Sequence, residues 1–291
     1  MQWVNRDCRQ SAAGPDYTGA MNDTLIAFIG GGNMASALIG GLIKAGHAPT
    51  QILVVEPFEA QRARLAQQFG LAPLAAADAS LARAGTVVWA VKPQLFRAAA
   101  APCAPFVGGA LHLSVMAGIR SDAVAAASGS PRVVRAMPNT PALIGLGIAG
   151  LFARAAVSAA ERAEIERLLA PTGETLWVGR EEDLDAVTAL SGSGPAYVFY
   201  VAEALMQAAV EMGLSADQGR ALALSTLAGA TALARQSDLP VSTLREQVTS
   251  KGGTTYAALQ SLEADGVKAA FVSALRKAQA RAQELGDEFG G

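Results

Sequence analysis

Apolar residues follow two patterns along this chain, and the change between them falls near residue 180. Before it, short continuous apolar runs alternate with stretches where apolar side chains recur every three or four residues. Continuous runs of this length predict strands buried on both faces, as in a parallel sheet, and the longer spacing predicts helices. The runs are Leu25–Ile29, Ile52–Glu56, Thr86–Val91, Ala110–Ala117, Arg132–Met137, Ile148–Ala153 and Thr175–Val178, with a short edge at Leu71–Leu74. Helical spacing follows the first run at Ala35, Leu38, Ile39, Leu42 and Ile43, and returns at Glu59–Phe69 and Ser158–Leu169. Strand and helix in alternation predict an α/β domain over residues 21–180.

From Glu181 the pattern is helical only: Glu181–Leu190, Pro195–Met212, Ala221–Ala234, Val241–Val248, and a segment with Ala257, Ala258, Leu259 and Leu262. In Pro195–Met212 the charged and amide residues are Glu203, Gln207 and Glu211, each four apart. They form one narrow polar stripe on an apolar cylinder, so the helix must be buried on most sides. A charged row near the centre argues against a membrane span. Ala221–Ala234 carries no charge and mostly small side chains, which allows close helix packing. An all-helical domain over residues 181–291 without a wet face is expected to complete its core against another chain.

The first strand–helix junction carries the clearest chemistry. Gly30, Gly31, Gly32, Asn33, Met34 and Ala35 fit G-x-G-x-x-[G/A] between a strand and a helix. Glycines let the backbone approach a pyrophosphate, and the helix start offers unpaired N–H groups and a positive dipole end. The next strand closes a βαβ unit of ~30 residues, the context this motif requires. The domain is therefore expected to be a Rossmann-type dinucleotide-binding domain. Glu56 ends the second strand, where a carboxylate would accept hydrogen bonds from the adenosine ribose and repel a 2′-phosphate. Arg62 and Arg64 follow within two turns, where they reach a phosphate or form a solvated helix face, so NADH and NADPH both fit. Lys92-Pro93-Gln94 and Pro138-Asn139-Thr140-Pro141 end two further strands at the ligand-binding edge of such a sheet. Lys92 is either a cofactor contact or a surface lysine. Asn139 and Thr140 are placed at the nicotinamide end.

A second glycine turn, Thr249-Ser250-Lys251-Gly252-Gly253-Thr254-Thr255, precedes a helix in the helical domain. Successive backbone N–H groups there make an anion nest, and its hydroxyls suit a small carboxylate better than a polyphosphate. A plain capping loop fits the same residues, since Ser and Thr cap helices well.

Composition narrows the function. With 51% apolar and 16% charged residues, the 291-residue chain is expected to bury much of its surface, including surface between subunits. A net charge of −2 gives no basic field for nucleic acid. Two cysteines, Cys8 and Cys103, make neither a disulfide framework nor a metal site, and a cytoplasmic location is expected. The two histidines are His47, after a helix end, and His112, mid-strand among apolar neighbours; both read as structural. Residues 1–20 show no period and no signal-peptide centre. They are expected to be a disordered extension or an upstream start-site artefact, with Met21 as a natural start.

The segments IGGGNMASALIGG (29–41), VKPQ (91–94), RAMPNTP (135–141), EEDLDAVTALSGSGPAY (181–197) and VTSKGGTTYAAL (248–259) together resemble the pyrroline-5-carboxylate reductases. The resemblance runs from about Leu25 to Leu285, in order. It implies NADPH- or NADH-dependent reduction of 1-pyrroline-5-carboxylate to L-proline, the last step of proline biosynthesis. It implies cofactor contacts at Gly30, Gly32, Asn33, Met34, Ala35, Glu56, Ala90, Val91, Lys92, Pro93, Ala117, Gly118 and Asn139. The substrate carboxylate is implied at Ser250, Gly252, Gly253, Thr254 and Thr255, with the Thr255 hydroxyl catalytic, beside the ring nitrogen. Intertwined homodimers, often built into decamers, are implied as well, with no metal, nucleic acid or membrane involved. A hydroxyacid dehydrogenase is the rival enzyme, but Pro195–Met212 holds no lysine and neither histidine is well placed as an acid. A dinucleotide-binding dimer without turnover is the rival outside enzymes.

Overall fold

The computed structural model describes residues 25–289; the expected extension at 1–20 lies outside them. In chain order the elements begin β1 (Leu25–Ile29), α1 (Asn33–Lys44), β2 (Ile52–Val55), α2 (Glu59–Phe69), β3 (Ala84–Trp89), α3 (Phe96–Val107), β4 (Leu111–Ser114), α4 (Ser121–Ser128) and β5 (Val133–Met137). They continue with β6 (Gly147–Ala153), α5 (Ala159–Leu169), β7 (Gly173–Trp177) and α6 (Asp183–Val187). A π-helical turn at Thr188–Gly192 leads into α7 (Gly194–Glu211), α8 (Ala216–Arg235), α9 (Val241–Gln247), α10 (Thr254–Ala264) and α11 (Val267–Phe289).

The strands form one sheet in the order β2-β1-β3-β4-β5-β6-β7. β1 lies parallel to both neighbours, with Phe28 beside Val54 on one side and Val88 on the other. β3 and β4 are parallel, as are β6 and β7. The N–H of Arg154, just past β6, donates to the carbonyl of Val133 at the start of β5, so β6 runs back along β5. A mostly parallel sheet explains why the strands read as unbroken apolar runs. Phe28, Ile29, Leu38, Ile39, Leu42 and Trp89 are all essentially inaccessible to water. Each such side chain contributes about 1.5–3 kcal/mol by leaving water.

By packing, the chain divides into two compact units. One takes the residues up to Ser114, with Val124–Val134 and Ala153–Thr172; the other takes Val115–Ala123, Arg135–Phe152 and everything from Gly173. In the first, the start of α5 is set by a capping box between Ser158 and Glu161. In the second, a Ser215–Gln218 box starts α8 in the same way. α7 and α8 approach closely because Gly219 lacks a side chain: a Cβ there would stand 2.9 Å from the Ala209 Cβ. Yet Val198, Phe199, Tyr200, Leu205, Val210 and Leu222 are left largely exposed on this helix pair. A contiguous exposed apolar surface of this kind marks an interaction site.

Several boundaries differ from the sequence reading. The expected strand Ala110–Ala117 ends at Ser114, so Ala117 and Gly118 lie beyond it. Glu56 is the residue after β2, and Ala90 and Val91 follow β3. Glu181–Leu190 divides into α6 and the π turn, and α10 takes in Thr254 and Thr255, the last two residues of the expected turn. α3 was hidden by its internal prolines, Pro102 and Pro105, which weaken any helix reading. α4 and α11 were also unforeseen.

Candidate functional site

In the first unit, the glycine turn is fitted tightly on one side and open on the other. Gly30 adopts φ +94°, a region other residues rarely enter, and a Cβ there would lie 2.7 Å from the Ala90 carbonyl oxygen. A Cβ on Gly31 would collide with Leu65 at 2.5 Å. Gly32 differs: a Cβ would meet nothing within 4 Å, and its φ of −68° suits any residue. Its open face adjoins the start of α1, which has no side-chain cap and no acidic residue in its first turn. Unpaired N–H groups with an unopposed positive end, reached across a bare glycine, fit a pyrophosphate.

Glu56 holds this turn from below. It is 5% exposed. Its Oε2 accepts the Gly31 N–H at 2.8 Å, and its Oε1 accepts the Phe58 N–H at 3.0 Å. Gln61 donates from Nε2 to the Gly31 carbonyl. Arg62 turns back to the strand end, with Nη1 donating to the carbonyls of Glu56 and Pro57. Gly30, Gly32, Asn33, Met34, Ala35, Glu56, Ala90, Val91, Lys92 and Pro93 are thus gathered at the carboxyl ends of β1, β2 and β3. Lys92 is exposed and precedes a short 3₁₀ turn at Pro93–Leu95.

In the second unit, Ala117 and Gly118 sit in the segment after β4. Gly118 has φ +75°, and a Cβ there would reach within 3.0 Å of the Leu285 carbonyl oxygen, so this glycine admits α11. Asn139 bridges two elements: its Oδ1 accepts the Ile148 N–H at 3.0 Å and its Nδ2 donates to the Ser191 Oγ at 3.2 Å. Ser191 belongs to the π turn, where Gly192 makes room for Met137. Single π turns inside helices recur at functional sites because they re-aim nearby groups.

The second glycine turn is built for an open helix start. Gly253 is the cap residue of α10 and supplies no side-chain bond, while Thr254 and Thr255 are already helical. The Ser and Thr hydroxyls are therefore not spent as the N-cap, as a plain capping loop would require. Gly252 has φ +78°, and the Gly253 N–H donates to the Ser250 carbonyl at 3.0 Å. A Cβ on Gly253 would lie 2.6 Å from Ser250 Oγ, so only glycine allows that hydroxyl its place. Ser250 and Thr254 are exposed and Thr255 is half-buried.

A buried charge network in the second unit went unread in the sequence. Arg135, 4% exposed, pairs with Glu181 at 2.7 Å. Glu181 also accepts the N–H and hydroxyl of Ser121, both at 2.6 Å. Arg120 makes a forked contact with buried Asp185 at 3.3 and 3.0 Å. Burial pulls the Arg135 guanidinium below its usual range, and the Glu181 hydrogen bond and charge oppose this. The network ties the residues after β4 to β5 and α6. The only signal was a run of carboxylates at 181–185, which a solvated helix face explains equally well.

Neither histidine is placed as an acid. Trp89 donates its indole N–H to His112 Nδ1 at 3.0 Å. The ring must therefore carry its proton on Nε2, which lies 3.1 Å from the Val107 carbonyl. Burial pushes its pKa down to about 4. His47 Nδ1 lies 3.2 Å from the Leu42 carbonyl. Among the described residues, no group of three or more His, Cys, Asp or Glu could hold a metal. Among them too, no helix is long and apolar enough to cross a membrane.

The family described as pyrroline-5-carboxylate reductase dimerisation matches residues 181–285, and the one described as NADP oxidoreductase, coenzyme F420-dependent, matches residues 25–118. The chain is 42% identical over 272 residues to the pyrroline-5-carboxylate reductase of Pseudomonas aeruginosa, covering 93% of this chain and 100% of that one. It belongs to the pyrroline-5-carboxylate reductase family. A family member from Haemophilus influenzae is 40% identical, covering 91% of this chain and 98% of its own. Among solved structures, the reductase of Coxiella burnetii superposes with a TM-score of 0.85 at 34% identity, covering 91% of this chain and 99% of that one. The Plasmodium falciparum pyrroline carboxylate reductase, solved with NADP bound, gives 0.82 at 28%, covering 92% and 100%.

Proposed function

We propose that this chain reduces 1-pyrroline-5-carboxylate to L-proline with NADPH or NADH, the last step of proline biosynthesis. The observation that carries the proposal is family membership spanning both glycine turns, the second of them inside the dimerisation region at 181–285. The domains proposed are a dinucleotide-binding domain over 21–180 and a helical dimerisation domain over 181–291. Gly30, Gly32, Asn33, Met34 and Ala35 hold the pyrophosphate on the α1 start, and Glu56 meets the ribose. Ala90, Val91, Lys92, Pro93, Ala117, Gly118 and Asn139 complete the cofactor contacts.

When bound, the nicotinamide supplies a hydride for C5 of the pyrroline C=N bond. A protonated imine is already a strong electrophile, so the protein needs no strong acid beside it; its task is positioning. Ser250, Gly252 and the N–H groups of Gly253, Thr254 and Thr255 hold the substrate carboxylate. The Thr255 hydroxyl orients the ring nitrogen and shares its proton. The exposed apolar faces of α7 and α8 are covered by a second copy, and further assembly of dimers into a decamer and a cytoplasmic location complete the proposal.

The test is consumption of NADH and NADPH by the purified protein with 1-pyrroline-5-carboxylate, with a 2-oxo acid, with a 3-oxo acid, and alone. Turnover with the pyrroline only is expected. Turnover confined to an oxo acid would make it a hydroxyacid dehydrogenase, and cofactor binding without turnover would make it a binding protein.

A further inference from the structure

We infer that this protein selects NADH over NADPH, with Glu56 as the selecting residue. The inference rests on the dinucleotide role proposed above for the first glycine turn. In a dinucleotide fold the adenosine ribose lies against the residue that ends the second strand. Here that residue is a buried carboxylate fixed on two sides. One oxygen is held by the Gly31 N–H and the other by the Phe58 N–H, so it cannot swing away from an arriving ligand. A carboxylate has about four acceptor sites. Two are used by the backbone, and the others suit the two hydroxyls of an unmodified ribose. A 2′-phosphate offers only acceptors and negative charge, and would meet Glu56 without a proton to share.

Of the two arginines on α2, Arg64 is exposed and Arg62 is engaged. Arg62 is the nearest basic side chain along the chain, and its Nη1 spans the Glu56 and Pro57 carbonyls at 3.0 and 2.7 Å. The α2 start would attract a phosphate through its dipole, but Glu59 occupies that first turn with a second carboxylate. Juxtaposed like charges cost enough to separate the two cofactors by more than tenfold.

The experiment is calorimetric titration of the substrate-free protein with NADH and with NADPH, for wild type, Glu56→Ser, Glu56→Gln and Arg62→Ala. Thermal unfolding midpoints report whether each variant is folded. Wild type is expected to bind NADH at least about tenfold more tightly. In Glu56→Ser the gap should shrink to less than about threefold through a gain in NADPH affinity. If that variant does not fold, Glu56→Gln, which keeps an acceptor for Gly31, should narrow the gap in the same direction. Arg62→Ala should leave the gap as it is. Equal or tighter binding of NADPH by wild type overturns the inference, as does selective loss of NADPH affinity in Arg62→Ala or an unchanged gap in a folded Glu56 variant. Each of these leaves the proposed reaction standing. Binding of neither cofactor overturns the inference and the dinucleotide reading together.

Discussion

Replacing His112 with phenylalanine is expected to remove a large part of the protein's sensitivity to mild acid. His112 is inaccessible to water, accepts the Trp89 indole N–H, and has a pKa near 4 against an ordinary 6.5. Between these values the unfolded chain binds a proton that the folded chain refuses. Stability from this group is therefore complete above pH 6.5 and is lost as pH falls toward 4. The gap is worth roughly 3 kcal/mol in all, and about 2 kcal/mol of it disappears between pH 7 and pH 5. Denaturant midpoints for wild type and His112→Phe, taken at both pH values and one protomer concentration, isolate the term because other titrating groups are common to both. The variant will be less stable at pH 7, since the Trp89 N–H and the Val107 carbonyl lose their partner, at about 1–3 kcal/mol each. Its loss on going to pH 5 should nevertheless be smaller than wild type's by about 2 kcal/mol. Proton NMR gives a second reading, because the His112 ring, with its pKa near 4, should not take up a proton between pH 7 and pH 5. Equal pH dependence in both proteins, or a His112 ring titrating near 6.5, would refute the reasoning and reopen His112 as a proton donor.

Thr255→Ala should raise KM for the pyrroline and lower kcat while leaving the unfolding midpoint within about 0.5 kcal/mol of wild type; unchanged kinetics would remove Thr255 from the mechanism. Gly32→Ala is sterically free in the protein alone, where a Cβ meets nothing within 4 Å. Stability should hold while dinucleotide affinity, read by titration, falls at least about tenfold; retained affinity would place the pyrophosphate elsewhere. Glu181→Ala strands the buried Arg135 charge and should cost about 3–5 kcal/mol in chemical denaturation. A loss under about 1 kcal/mol would mean that water reaches the Arg135 guanidinium.

Much of the first unit was legible because its signals are local. An apolar run, a glycine turn and a 3–4 spacing lie within one stretch at 25–43, and β1 and α1 formed there. The second glycine turn was visible for the same reason. That its hydroxyls leave the cap of α10 to Gly253 was not readable from the sequence. Helix α3 stayed hidden because Pro102 and Pro105 argue locally against a helix that burial of Phe96, Ala100, Cys103 and Val107 holds together.

The sequence by itself determined the alternation of strand and helix, the change to helices after residue 180, the two glycine turns and the family resemblance. Each depends on residues near one another along the chain. Tertiary structure alone decided the protonation of His112, the pairing of Arg135 with Glu181 and the engagement of Arg62 by carbonyls. It also decided the division into units that cuts across the chain order. Those outcomes depend on burial and on partners far away in sequence, and the charge state of a group is set by what surrounds it in space. Glu56 shows both sides: its place after β2 was readable, but only the fold revealed that Gly31 and Phe58 hold it still.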